Sequence, residues 1–163
     1  MSYIGAVNII RDTANAINPN GTFEHCRTWD ASLEFNEADC QIFLYPLQAA
    51  IDITNHFYES WQVVMAIYFQ DSPDSTNEER ENIVNSAFNL AKIFLSTINE
   101  NELIEISGIR TEPNYRQLSG TYTGITLTFT MGTTSDLCAT DEFLLNTNNF
   151  IIQNTDGTPL QNT

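Results

Sequence analysis

Apolar residues at Tyr3, Val7, Ile10, Ala14 and Ile17 step by four, three, four and three. Those steps return to one side of a helix, so the spacing predicts an amphipathic helix over residues 3–17. Asn18-Pro19-Asn20-Gly21 ends it. The period then changes. Trp29, Ala31, Leu33 and Phe35 alternate with Thr28, Asp30, Ser32 and Glu34, which predicts a half-buried strand with an acidic outer face. Asn36-Glu37-Ala38-Asp39 reads as a turn. The apolar run from Cys40 to Tyr45 reads as a second strand that Pro46 stops, the two forming a hairpin. Residues 47–60 show no clean period and are expected to form an irregular, partly helical link. Trp61 to Phe69 is apolar on both faces, which predicts a central strand.

An acidic loop with Pro73 follows, and Thr76 precedes Glu79 by three, the spacing of a capping box. Ile83, Ala87, Ala91, Phe94 and Ile98, flanked by Val84, Phe88 and Leu95, predict a long helix over residues 77–98. It should pack on the sheet through Phe88, Phe94 and Leu95. Leu103 to Glu112 reads as a strand with an irregularity at Gly108, and Pro113 to Gly120 as a turn-rich loop. From Gly120 to Met131, Ile125, Leu127, Phe129 and Met131 alternate with Thr126, Thr128 and Thr130. Residues 117–135 carry no charge, so this strand must have its edge covered, by the sheet or by a neighbouring subunit. The expected fold class is α+β: a mostly antiparallel sheet packed with two helices, in the order α-β-β-β-α-β-β, as a domain over residues 1–138. Residues 139–163 hold only isolated apolar triads in an Asn/Thr-rich background. They are expected to form an extended C-terminal tail that packs on neighbouring subunits, with Phe143, Leu144, Phe150 and Ile151 as anchors.

Charge narrows the function classes. With 163 residues, 21 acids and 6 bases, the formal charge is −15. Such a chain is repelled by phosphate backbones and anionic lipid surfaces. The N-terminus lacks the basic region of a secretory signal, and no apolar run is long enough to span a bilayer, so folding in a cytoplasm is expected. Asn and Thr number 18 and 19, while Lys occurs once. A surface poor in long flexible ammonium side chains suits contacts between proteins.

Catalytic signals are weak. His25-Cys26 with Cys40 and His56 matches no zinc spacing, and adjacent residues on an extended chain point to opposite faces. Asp30 and Glu34 share a strand face, but the polar side of an amphipathic strand is solvated by default. No Gly-rich phosphate loop, HExxH or GxSxG pattern occurs. No catalytic residue, cofactor or metal is expected.

The order of elements resembles that of the tail-terminator or tail-completion proteins of tailed bacteriophages. The resemblance covers about residues 1–138. It rests on the helix of residues 3–17, the hairpin of 28–45, the Trp61–Phe69 strand, the acidic loop, the helix of 77–98 and the closing pair of strands. Leu118-Ser119-Gly120 looks like the approach to the last strand in that family. The resemblance implies a virion protein at the neck or tail, made in the host bacterial cytoplasm and assembled as a homo-oligomeric ring. It implies contacts with portal-side connector or adaptor proteins and with tail proteins. DNA would pass through such a ring without specific binding, and a lumen of carboxylates would repel it. Asp30, Glu34 and Glu37 are the first candidates for that lining, ahead of the acids of 71–81 and 100–112. A small acidic partner-binding or ligand-binding domain is the alternative reading.

Overall fold

The computed structural model describes residues 1–25, 40–52, 58–101, 104–117 and 122–133. Helix α1 spans Tyr3–Ile17, and strand β1 spans Thr22–His25. Strands β2 (Cys40–Leu44), β3 (Gln48–Asp52) and β4 (Tyr58–Gln70) follow. Helix α2 spans Asn77–Asn99, and strands β5 (Ile104–Gln117) and β6 (Tyr122–Thr133) close the order. The fold is α+β, with two helices on one mostly antiparallel sheet.

The sheet order is β1-β2-β4-β6-β5, with β3 pairing β4 beside β2. Four pairings are antiparallel, and β1–β2 alone is parallel. The apolar strand expected at the centre is there: β4 pairs with β2 and β3 on one side and β6 on the other. The Thr-rich strand β6 lies between β4 and β5, so the sheet itself covers both its edges. The alternation of β6 works as the period dictates. Ile125, Leu127, Phe129 and Met131 enter the core with Val63, Met65 and Ile67 of β4, on the face that α1 and α2 cover. Phe43, Ala66, Tyr68 and Tyr122 form a smaller buried cluster on the opposite face.

Both helices start as their sequences dictate. Ser2 caps α1, its hydroxyl accepting from the Gly5 N–H at 3.1 Å. Thr76 and Glu79 form the capping box: the Glu79 N–H donates to Thr76 Oγ1 at 3.2 Å, and the Thr76 N–H donates to Glu79 Oε2 at 2.6 Å.

Several expectations need comment or correction. Of the expected irregular link over residues 47–60, Gln48–Asp52 form β3, which pairs antiparallel with the start of β4, and residues 53–57 lie outside the described residues. Strand β2 ends at Leu44, just before Pro46, as expected. Tyr45 donates its N–H to the Val64 carbonyl at 3.0 Å, and the ladder resumes at Gln48 opposite Gln62 with one extra residue, a bulge. The strand found before Cys40 is β1, parallel to β2 rather than a hairpin partner; the expected strand at 28–35 lies outside the described residues. The expected loop after Pro113 is strand through Gln117, because an outer strand tolerates a missing N–H. Finally, α2 packs through Ala87, Ala91, Phe94 and Ile98, whereas Phe88 is 36% exposed. One residue turns a helix by about 100°, so Phe88 sits at the flank of the line through Ala87. There Lys92 Nζ lies 4.5 Å from its ring centroid. Leu95 is half-buried against the core, and Phe94 meets Phe129 edge to face at 6.1 Å.

Candidate functional site: an open strand edge and the groove beside it

Strand β5 is the outer strand beside β6, and most of its residues are exposed. Two breaks interrupt its ladder with β6. The first, between Ser107 and Arg110, contains Gly108 at φ +63°, the irregularity its glycine announced. The second, between Asn114 and Gln117, contains Arg116 at φ +53°. Between them, Arg110, Thr111, Glu112 and Pro113 pair regularly with β6. Thr111 and Pro113, opposite Leu127 and Ile125, lie on the helix face; Arg110 and Glu112 lie on the other. Ile109 and Tyr115 are 51% and 48% exposed, more than a folded core strand leaves open.

Where α2 lifts from this edge, a groove of about 410 Å³ opens. Val84 and Phe88 of α2, Thr111 and Pro113 of β5, and Ile125 beneath them supply its apolar surface, while Glu81 and Asn85 make a polar rim. The groove exists because Ala87 and Ala91, not Phe88, set the helix on the sheet.

One end of this region is tied down by a buried ion pair. Arg80 Nε donates to Asp71 Oδ2 at 3.0 Å, and the Thr123 hydroxyl donates to the same oxygen at 2.8 Å. Burial pushes the Asp71 carboxyl up, but hydrogen bonds from Thr123, Ser75 and Arg80 and the guanidinium charge outweigh it, so it sits below the usual carboxylate range. Arg116 extends the network: its N–H donates to Thr123 Oγ1 at 3.2 Å and its guanidinium to the Pro73 carbonyl at 3.0 Å. Asp71 therefore points inward and cannot serve as a lining acid, although Glu78, Glu79 and Glu81 beside it are exposed. Arg80 was legible only as a base standing on the apolar stripe seven residues before Ala87.

Across the sheet, β1 forms the other outer strand. Its Phe23 packs on the core, while Glu24, opposite Phe43, lies on the face away from the helices. His25 Nε2 lies 3.2 Å from the Tyr3 hydroxyl. Burial, with the Arg11 charge, lowers its pKa. His25 and the buried Cys40 are not brought into a metal set; Cys26 and His56 lie outside the described residues. Among the described residues no three His, Cys, Asp or Glu side chains are grouped to hold a metal ion. Asp30, Glu34 and Glu37, and Phe143, Leu144, Phe150 and Ile151, also lie outside the described residues, as does the expected domain boundary at 138. No described helix is long and apolar enough to cross a membrane. No family model and no curated protein matches the chain.

Proposed function

We propose that this chain is a structural subunit of a tailed-bacteriophage virion, a ring-forming neck or tail-completion protein that works by assembling rather than by catalysis. The observation that supports this best is the pair of strands, β1 and β5, that are outermost among the described residues at opposite sides of one sheet. Surfaces of that kind on two sides of a chain suit head-to-tail contacts, which close into a ring when the rotation between copies permits. The composition adds to it. A single Lys among 163 residues and a charge of −15 fit a ring that packs against protein and lets DNA pass unheld.

In this reading the two faces of the ring meet portal-side connector or adaptor proteins and tail proteins. Acids line the passage, with Asp30, Glu34 and Glu37 the first candidates. The test is the mass of the purified full chain by sedimentation, with electron microscopy of the same sample. Closed rings that do not retain duplex DNA at low salt are the expected result. A chain monomeric at every concentration, alone and with phage neck proteins, ends the reading. The groove beside Phe88 favours a second reading, a domain that binds a partner or ligand; a monomer that captures an apolar peptide there would support it.

A further inference from the structure

Among the described residues, the two outer edges of the sheet match each other in polarity, face and charge. Strands β5 and β4 both run antiparallel to β6, so β5 is parallel to β4. Strand β1 is parallel to β2, which is antiparallel to β4. Hence β1 runs antiparallel to β5. A second copy placed beside the first in the same orientation presents its β1 to β5 as an antiparallel partner, the geometry in which short ladders form most readily.

The open stretch of β5 is also bounded. Gly108, at φ +63°, breaks the strand on one side, and Pro113 lacks an N–H on the other. Between them stand Ile109, which still lies within the first register break, and Arg110, Thr111 and Glu112, which pair regularly with β6. Among the described residues, strand β1 covers Thr22 to His25. Bulges and prolines normally protect an edge from promiscuous pairing. Here they leave a window that can take the described residues of the chain's own opposite edge.

We infer that β1 of one copy adds to β5 of the next over residues 109–112, with Glu24 opposite Arg110. The faces agree. Glu24 lies opposite Phe43 within its own sheet, and Arg110 opposite Thr128, both on the side away from the helices. Phe23 of the next copy then meets Thr111 on the helix side, beside the groove that Phe88 and Val84 line. Among the described residues Arg110 has no ion-pair partner, and it is one of only 6 bases in the chain, so its charge is free for a carboxylate. The register places Glu24 and Arg110 as a cross-strand pair of opposite charge, the arrangement that favours one register over its neighbours. Glu112 meets Thr22, so no like charges stand opposite each other.

This interface deepens the ring reading by naming the surfaces that join its subunits. Its test uses the full chain with Cys26, Cys40 and Cys138 replaced by serine or alanine, carrying Glu24→Cys and Arg110→Cys together. Oxidation is expected to give a ladder of disulfide-linked multimers, and a mixture of the two single variants only dimers. In parallel, Arg110→Glu is expected to raise the concentration for half-assembly by about tenfold, as like charges then face each other, and Glu24→Arg added to it should restore assembly. Closed rings that form equally well with Arg110→Glu and give no crosslink overturn this interface and leave the ring reading standing. Crosslinked open polymers keep the interface and overturn the ring. A chain that stays monomeric and uncrosslinked overturns the interface outright.

Discussion

Strand β6 has two neighbours, and they differ. Its ladder with β4 runs through 11 residue pairs, Ser60↔Gly132 to Gln70↔Tyr122, without a register break. Its ladder with β5 breaks twice, carries a proline and four charged side chains, and is exposed along most of its length. The difference follows from what each strand must bury. β4 has a neighbour on both sides, and a one-residue slip would carry Trp61, Val63, Met65 and Ile67 off the face that the helices cover. β5 has one open side, where charge and irregularity are tolerated and limit unwanted pairing. A perfect ladder here marks the packed interior of the sheet, and a broken one its exposed margin.

The comparison is broken most severely from the β4–β6 side. A Cβ on Gly124 would lie 2.0 Å from the Ile67 carbonyl oxygen, a backbone atom that cannot move without separating the strands. Gly124→Ala is expected to destabilise the fold at least as much as Phe129→Ala, which should cost about 3–5 kcal/mol by cavity formation. Denaturant titration of both variants checks the order; a near-neutral Gly124→Ala would mean the two strands are not held as described.

Next in size is the ion pair that anchors the edge. Asp71→Ala leaves the Arg80 charge buried and uncompensated, and should cost about 3 kcal/mol or more. The pH dependence has a definite sign. The folded carboxyl titrates below its ordinary 3.8, so its contribution is complete above that pH and is lost as the pH falls through the folded value. Tyr68 gives the alkaline counterpart. Burial, then Tyr45 beside it, push its hydroxyl up from 10.0 to about 12, so its contribution holds below pH 10.0 and is lost as the pH rises through about 12. Thermal melts of Asp71→Asn and Tyr68→Phe across pH should each flatten one limb; an unchanged acid limb in Asp71→Asn would remove Asp71 as its source.

Smaller again is Gly108→Ala, where space is free but φ is positive, so about 1–2 kcal/mol is expected from backbone strain alone. The smallest effect should come from Phe88→Ala. That side chain is 36% exposed, and its loss should lower stability by less than about 1 kcal/mol. A cost near that of Phe129→Ala would return Phe88 to the core. Together the series runs from the closed ladder to the open edge.

The elements that were legible in the sequence are those whose cause is local. The α1 stripe, the Thr76–Glu79 cap, the alternation of β6 and the doubly apolar β4 all follow from periods of 3.6 and 2 and from groups a few residues apart. Gly108 announced its irregularity for the same reason, since the conformation belongs to one residue. Long-range pairing was not legible. Whether residues 48–52 form a strand depends on the edge that β4 offers them, and whether Pro113 ends a strand depends on which side of β5 is open. Helical phase put Phe94 in line with Ala87, Ala91 and Ile98 and Phe88 at the flank, but not how far that flank would be covered. Only the seating of α2 on Ala87 and Ala91 leaves Phe88 beside a groove. The match between β1 and β5 is tertiary in the same sense. The proposed joining of β1 to β5 depends on the sheet order, which places Thr22–His25 and the stretch past Gly108 on opposite sides of one sheet, a consequence of chain topology that no local pattern encodes.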